Sequence, residues 1–284
     1  MAGQITKIRK RLKTVDATKK LTNATELVAT VKLQKYNQKT LVNKQYASDL
    51  EQFIRIVLSH PPIEETNPYL VKSHVDNPLH IIIGANSGLC GSYNNDLLRY
   101  VEEHVPKDEP IFVIGTIPFN WLMKNGYLVI QMYDELEDLQ PKIMNSLIDN
   151  ILALYANDEI SEIDVIYTEY INTLTYHPTT MKILPLEMDA ETQETEIYLE
   201  PDRDAVLNRL VPMYVSSQLY VTFLQAKTSE NAARRNAMNN ANRNADKLVN
   251  ELTLMYNQAR QAAITQEMNE ISASIKETSY ESVK

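Results

Sequence analysis

MNNANRNADKLVNELTLMYNQARQAA, residues 238–263, contains neither glycine nor proline and is rich in alanine and asparagine. Apolar or small residues recur in it at alternating steps of three and four: Met238, Ala241, Ala245, Leu248, Leu252, Met255, Ala259 and Ala262. This spacing is typical of the narrow seam of a coiled coil, and alanine lets a neighbouring helix approach closely. The stretch therefore predicts a long helix paired with a second helix.

Proline and glycine mark out the rest of the chain. No proline precedes Pro61 and none follows Pro212, and after Gly3 the glycines fall only between residues 84 and 126. Because both residues disfavour helix interiors, we predict a first helix from about residue 3 to 58. A last helix is predicted from an Asp202 or Asp204 N-cap to about residue 276, with a kink or a separate short helix at Pro212.

The first helix carries an apolar stripe whose members are three and four residues apart: Ile5, Ile8, Leu12 and Val15. The pattern then predicts a phase slip through Lys19 and Thr22, since the next apolar residues at helical spacing are Leu21, Ala24, Val28 and Val31. An unbroken seven-residue repeat would instead indicate a regular supercoil.

The middle of the chain alternates strand and helix signals. Apolar, β-branched runs predict strands at residues 79–84, 110–115, 127–133 and 163–170, and helices are expected around residues 95–104, 118–125 and 139–155. This alternation is typical of a parallel sheet covered by helices. We therefore predict an α/β protein with three parts, a helix in 1–60, a Rossmann-like domain in 61–201 and a helix in 202–284.

Helix lengths set the expected geometry. Helices of about 55 and 70 residues are roughly 80 and 105 Å long, more than the width of one domain. In an antiparallel coiled coil the C-terminal helix would overshoot its partner by about 20 Å, exposing a new apolar stripe formed by Ile264, Met268, Ile271 and Ile275. Such a stripe indicates a partner molecule, with self-association into a four-helix bundle as an alternative.

Composition and charge restrict the functional classes. The 284 residues are 44% apolar, contain one cysteine and lack a run of eighteen apolar residues, so we expect a soluble cytoplasmic protein without disulfides. The net charge is -9, yet the first 44 residues carry eleven Lys or Arg against Asp16 and Glu26. This basic segment favours an acidic protein partner. Nucleic acid, a membrane surface or a solvated helix face are alternatives, although few aromatic residues accompany the cations.

No motif identifies an active site. GANSGLCG, residues 84–91, stands where α/β folds bind nucleotides but departs from G-x-G-x-x-G, so a tight strand-to-helix turn is expected in place of a phosphate site. Cys90 lacks an obvious base because the five histidines are scattered: His60, His74, His80, His104 and His177. The carboxylates of DELEDL, residues 134–139, are interpreted as a solvated surface. We expect no catalytic residue, cofactor or metal.

Four segments, in order along the chain, carry a family resemblance. They are MAGQITKIRKRLKTVDATKKLTNATELVATVKLQK (1–35), GLCGSYN (88–94), TSENAARRNAM (228–238) and LTLMYNQARQAAITQEMNEI (252–271). Together they resemble the gamma subunit of F-type ATP synthase, the central rotor of the F1 motor.

The resemblance implies a coiled coil inside a ring of alpha and beta subunits, with the α/β domain as a foot that contacts an epsilon subunit and the membrane c-ring. It implies a peripheral complex on the cytoplasmic face of the membrane, without lipid insertion. Lys10, Arg11 and Lys13 would face acidic beta segments, and Arg260 and Gln261 would hydrogen-bond a beta loop. Thr265 and Glu267 would make rotor contacts near the N-terminal helix, and Met268 and Ile271 would contact partners through the apolar stripe.

Two alternatives stay open. Asn86 and Ser87 precede GLCG where the family usually has Asp-Arg, so a divergent F1-like ATPase with an output other than a proton-driven c-ring is one alternative. An α/β enzyme that dimerises through its terminal helices is the other.

Overall fold

The computed structural model describes residues 2–59, 69, 75–133, 141–186, 199–200 and 202–281. His60, His74 and the DELEDL segment lie outside these residues, as does the side chain of Ile275. The chain divides into two compact units. Unit 1 comprises Met1–Val28 and Ala237–Lys284, and unit 2 comprises Ala29–Asn236.

Two long helices form the terminal parts of the chain, as predicted. Helix α1 spans Ala2–Leu58 and helix α5 spans Arg203–Glu281. Asp202 is the N-cap of α5, because its Oδ1 accepts a hydrogen bond from the backbone N–H of Ala205 at 2.8 Å. Of the kink or separate short helix predicted at Pro212, the separate helix is wrong, since α5 continues through this residue. The flanking Val211 and Val215 are fully buried, and this packing offsets the missing proline N–H.

Unit 2 contains a five-stranded mixed sheet. Its elements are β1 (Leu79–Ile83), α2 (Tyr93–His104), β2 (Ile111–Ile114), α3 (Thr116–Lys124), β3 (Val129–Tyr133), α4 (Pro141–Ala156), β4 (Ile163–Tyr170) and β5 (Tyr176–Leu184). The strand order is β3-β2-β1-β4-β5, with the first four strands parallel. This is the Rossmann-like arrangement expected, and the four predicted strands and three intervening helices are confirmed.

The antiparallel edge strand β5 was not predicted. Its sequence, YHPTTMKIL, is buried only at Ile183 and Leu184 and includes polar residues and Pro178, so it lacks the continuous apolar run of the central parallel strands. It pairs with β4 over their whole length, with Ile163 opposite Leu184 and Tyr170 opposite Tyr176.

Both faces of the sheet are buried at the central strand β1 and its neighbour β2, which explains their continuous apolar sequences. Ile81 and Ile83 pack into one core with Phe223 of α5 and Ile151 of α4. Ile82, between them, points into a second core formed with α2 and α3. Side chains alternate across a strand, so each face takes every second residue.

In unit 1, α1 and α5 pack antiparallel with an unbroken heptad spacing. The partly buried positions of α1 are Ile5, Ile8, Leu12, Val15, Lys19, Thr22, Thr25 and Glu26. The predicted phase slip is therefore wrong, and Leu21, Ala24 and Val28 are exposed. The packed face stays in phase because Lys19, Thr22 and Glu26 make polar contacts there.

The seam of α5 agrees with the prediction at five of the eight positions and differs at three, where Leu248, Met255 and Ala262 are exposed. Its more buried positions are Met238, Ala241, Asn242, Ala245, Val249, Leu252, Tyr256, Ala259 and Ala263. Leu248 and Met255, which we expected in the seam, are 47% and 52% exposed, whereas Leu252 is 8% exposed. A pattern of hydrophobicity alone selects Leu248 and Met255, whereas the packed positions in phase with Leu252 include the polar Asn242.

Candidate functional site

The middle of the unit 1 seam is held by polar side chains. Asn242 donates from Nδ2 to Glu26 Oε2 at 2.6 Å, and Asn239 Nδ2 donates to Glu26 Oε1 at 2.9 Å. Thr22 Oγ1 donates to Asn242 Oδ1, and Lys19 forms an ion pair with Asp246. Together these contacts fix the antiparallel register.

The register places the end of α5 beyond the start of α1. Contacting pairs have residue numbers that sum to about 265, as for Lys19 with Asp246, so Ala2 stands opposite Ala263. Residues 264–281 extend α5 by a further 27 Å or so at 1.5 Å per residue. Ile264, Met268 and Ile271 in this extension are 48%, 63% and 59% exposed.

The predicted contact residues of α5 surround this stripe. Ile264, Met268 and Ile271 share one face at 100° per residue, and that face is turned away from the seam. Arg260 and Glu267 flank the stripe on one side, and Gln261 and Thr265 flank it on the other; all four are exposed. Thr265 Oγ1 donates to the Gln261 carbonyl at 2.9 Å. This arrangement offers an apolar strip with polar margins.

The predicted contact residues of α1 form a separate basic surface. Lys10, Arg11 and Lys13 are exposed, and none pairs with a carboxylate among the described residues. By register, Lys10 stands opposite Met255. The basic surface and the apolar stripe therefore belong to the same unit but lie at different heights along α5.

The GANSGLCG loop is used for packing within unit 2. Asn94 Oδ1 accepts the N–H of Ala85 at 3.2 Å, and Asn86 Oδ1 accepts the N–H of Thr116 at 3.0 Å. A Cβ on Gly84 would stand 2.8 Å from Pro118, and one on Gly115 (φ +115°) would stand 2.6 Å from the Gly84 carbonyl. The glycines therefore permit the close approach of β1 to the start of α3, as expected for a tight turn.

Helix α5 holds this loop through a buried ion triad. Glu230 accepts from Lys227 Nζ at 2.9 Å and from Arg234 Nη1 at 2.8 Å. Arg234 Nη2 also donates to the carbonyls of Ser87 at 3.1 Å and Gly88 at 3.4 Å. Burial would raise the pKa of Glu230, but the two adjacent cations outweigh it and lower that pKa.

Cys90 and the described histidines form no catalytic arrangement. Burial raises the pKa of the Cys90 thiol, which lies 3.2 Å from Asn94 Nδ2. His80 belongs to strand β1, is buried, and contacts Glu109 at 2.6 Å. Within the described part of the chain, no group of three or more His, Cys, Asp or Glu residues is arranged to hold a metal ion. The same residues include no helix long and apolar enough to cross a bilayer.

Several structurally important residues were missed from the sequence. Thr22, Glu26, Asn239 and Asn242 are polar, so a search for apolar periodicity passes over them. Their signal is the spacing itself, because the steps of three and four from Ile5 to Val15 continue through Lys19, Thr22 and Glu26.

Comparison with known proteins agrees with this architecture. A family model described as ATP synthase matches residues 4–276. The ATP synthase gamma chain of Clostridium novyi (strain NT) is 34% identical over 278 residues, covering 95% of this chain and 97% of its own length. That of Streptococcus uberis (strain ATCC BAA-854 / 0140J) is 35% identical over 286 residues, covering 96% and 98%.

Solved structures share the fold at lower identity. The rotor of the Euglena gracilis mitochondrial ATP synthase has a TM-score of 0.64 at 16% identity, covering 93% of this chain and 100% of the matched one. A chain of the Tetrahymena thermophila mitochondrial ATP synthase central stalk and c-ring has a TM-score of 0.59 at 18% identity, covering 78% and 99%.

Long paired terminal helices joined to a Rossmann-like sheet define a central-stalk subunit of a rotary ATPase. The chain belongs to the ATP synthase gamma-chain family. It is a non-catalytic rotor subunit of F-type ATP synthase, so the alternative of an α/β enzyme is wrong.

Proposed function

We propose that this subunit transmits rotation between a catalytic ring of alpha and beta subunits and a membrane c-ring. The observation that carries the proposal is the exposed stripe of Ile264, Met268 and Ile271 at the end of α5. Exposed apolar side chains in a row are a liability in water unless another molecule surrounds them. Alpha and beta subunits would supply that cover.

The chemistry of unit 1 suits a rotor. A subunit that turns inside a ring must not bind any one position too deeply, and α5 offers small and polar residues around a short apolar stripe. Arg260 and Gln261 are proposed to hydrogen-bond a beta loop, and Thr265 and Glu267 to make polar contacts beside the stripe. Lys10, Arg11 and Lys13 are proposed to face acidic beta segments.

An asymmetric rotor presents different faces to three equivalent catalytic subunits. Each face stabilises a different conformation, so the angle of the rotor and the affinity of each site for nucleotide are linked. Linkage is reciprocal, which means that nucleotide binding and release drive rotation, and rotation drives synthesis.

The remaining partners are proposed for the middle of the chain. We assign residues 61–201, between the helical segments 1–60 and 202–284, to contacts with an epsilon subunit and the c-ring. Two solved relatives support this assignment by their descriptions, one as OSCP/F1/c-ring and one as central stalk and c-ring. The complex would be peripheral, on the cytoplasmic face of the cell membrane.

Reconstitution tests the proposal. The isolated chain, mixed with its alpha and beta subunits, is expected to form a complex and to raise their cooperative ATPase activity, while hydrolysing no ATP alone. Truncation after Tyr256 removes the stripe and should weaken assembly or torque, whereas truncation after Ile271 keeps Ile264, Met268 and Ile271 and should not. Equal ATPase rates and torque in both truncations would contradict the assigned role of the stripe.

Purification of the intact complex tests which membrane component the rotor is coupled to. Co-purification of a c-ring supports the proton-driven or ion-driven assignment. A complex with alpha and beta subunits but another membrane partner would favour the divergent F1-like ATPase.

A further inference from the structure

One histidine is buried near the start of the central strand of unit 2. His80 is the second residue of β1 and is 6% exposed. Its ring lies between two carboxylates: Nε2 is 2.6 Å from Oε2 of Glu109, which precedes β2, and Nδ1 is 3.9 Å from Oδ2 of Asp164, the second residue of β4. The parallel register places His80 directly beside Asp164. Three titratable side chains therefore meet where three neighbouring strands begin.

The short contact with Glu109 determines which nitrogen of the neutral ring carries the proton. A carboxylate only accepts hydrogen bonds, so Nε2 donates its N–H to Glu109. Nδ1 then presents a lone pair to the Asp164 carboxylate. His80 Nδ1 and Asp164 Oδ1 are both buried, and neither has a hydrogen-bond partner among the described residues. Two buried acceptors that face each other are unfavourable, and one added proton removes the conflict.

The surroundings of the cluster add one ion pair and an apolar wall. Glu162, just before β4, pairs with Lys182 of β5 at 2.8 Å. Ile82, two residues after His80, faces the same side of the sheet and packs there with Val101 of α2 and Leu122 of α3. The charged and titratable groups that act on Asp164 are His80, Glu162, Lys182 and Glu109.

The balance of these groups favours an extra proton. Burial raises the pKa of Asp164, which His80 and Lys182 lower and Glu162 and Glu109 raise further. A carboxyl whose pKa is raised by folding contributes stability at low pH, and this contribution is lost as the pH rises through the folded-state value. Since the carboxyl and the ring are coupled, the proton belongs to the pair. Imidazole is ordinarily the stronger base of the two, so the ring carries it.

We propose that His80 and Asp164 form a buried proton-binding site, in which His80 Nδ1 carries the proton and the Asp164 carboxylate accepts its hydrogen bond. Proton binding draws the two atoms together from 3.9 Å to about 2.8 Å, and so links β1 to β4. The Nε2 contact continues the link to Glu109. Acid therefore stabilises the start of the sheet, and alkali weakens it. The inference does not depend on the proposed rotor function.

Nitrogen NMR of the full chain, isotopically labelled at histidine, tests the site. The chemical shift of a ring nitrogen shows whether it is protonated, and His80→Gln identifies the His80 signals by their loss. On acidification from about pH 8 to about pH 5, Nδ1 should gain a proton while Nε2 keeps its own. A water molecule that bridges the two acceptors would leave Nδ1 unprotonated. Nδ1 that stays unprotonated, or that carries the only proton of the ring, would overturn the proposal.

Asp164→Asn tests the partner with a side chain of the same shape. The new amide can donate to the Nδ1 lone pair and so satisfies the neutral ring. This variant should reduce the affinity of Nδ1 for a proton about 10-fold. His177 is the control within the same spectra, because its Nε2 lies 3.7 Å from Glu169 and its side chain is 52% exposed. An unchanged proton affinity at His80, or an equal change at His177, would overturn the assignment of Asp164.

Urea denaturation gives an independent readout. As the pH falls from about 8 to about 5, the ratio of the unfolding equilibrium constants should change in favour of wild type over Asp164→Asn by up to about 10-fold. A ratio that does not vary with pH would contradict proton uptake on folding. If Asp164→Asn does not fold, the NMR titration of the wild-type chain decides. Assembly with alpha and beta subunits is measured separately, so failure of the proton site leaves the rotor function standing.

Discussion

Two stretches of α5 have the same backbone structure and opposite surroundings. Residues 221–233 are all buried in unit 2, whereas residues 253–272 in unit 1 include no buried side chain. The first stretch includes polar residues that the chain satisfies internally, as when Ser229 Oγ donates to the Thr168 carbonyl at 2.9 Å. The comparison shows that one stretch of helix α5 is part of a core, whereas the other leaves its side chains exposed or only partly buried.

The largest expected difference concerns two glutamates of this helix. Glu230→Ala leaves Lys227 and Arg234 close together without their shared carboxylate, in a buried site. Breaking such a network should lower the free energy of unfolding by about 3–5 kcal/mol. Glu267→Ala, at an exposed position, should change it by less than about 0.5 kcal/mol. Urea denaturation of the two variants measures both values, and similar values would contradict the comparison.

The same carboxylate predicts a pH dependence. The pKa of Glu230 in the folded chain lies below its ordinary value of 4.5. Its contribution to stability is therefore complete above about pH 4.5 and is lost as the pH falls through the lower folded-state pKa. The stability difference between the wild-type chain and Glu230→Gln should shrink on acidification below pH 4.5. A stability difference that grows on acidification would contradict the lowered pKa of Glu230 in the folded chain.

A smaller effect tests the position of the seam. Leu252→Ala removes a side chain that is 8% exposed, and should cost about 2–3 kcal/mol in the free energy of unfolding. Leu248→Ala, four residues earlier, removes one that is 47% exposed and should cost under about 1 kcal/mol. Equal costs would indicate that Leu248 also packs in the seam, as the hydrophobic spacing predicted.

Asparagines provide the next comparison. Asn242→Ala removes the acceptor of Thr22 and a donor to Glu26, and should cost about 1–2 kcal/mol. Asn244→Ala, on an exposed position of the same helix, should be close to neutral. Thermal unfolding of the two variants under identical conditions measures the difference, and a loss at Asn244 equal to that at Asn242 would contradict it.

The smallest effect on stability is expected at the stripe. Met268 is 63% exposed, so Met268→Ala should alter the free energy of unfolding of the isolated chain by less than about 0.5 kcal/mol. The same substitution should weaken assembly with alpha and beta subunits in a binding titration. A loss of stability without an assembly defect would indicate that Met268 stabilises the folded chain and does not contact the alpha and beta subunits.

The sequence predicted the order of helices and strands more accurately than it predicted the side-chain contacts. Strands β1 and β2 are buried along their whole length, and β3 and β4 are rich in apolar residues, so all four leave a clear signal in the sequence. Strand β5 is an edge strand with Pro178, whose partner β4 determines its position. Part of the unit 1 seam was misplaced, because Asn242 and Glu26 occupy packed positions that apolar spacing does not indicate and that their mutual hydrogen bond explains.

The contact residues have a similar explanation. The resemblance indicated Arg260, Gln261, Thr265 and Glu267, and the structure shows that they border one exposed stripe. The groove between α1 and α5 in unit 1, in contrast, depends on how Met255 lies relative to Lys10 across two helices. Such a juxtaposition follows from the register of the two helices, which the hydrophobic pattern of one chain segment does not determine.

The polar pairs in the middle of the seam bear on torsional load. Sliding α1 past α5 by one heptad would separate Lys19 from Asp246 and leave the Glu26 carboxylate without its two amide donors. An all-leucine seam would present similar packing after such a slip. The amide and carboxylate pairs therefore oppose sliding of α1 past α5 and keep the two helices in one register under torsional load.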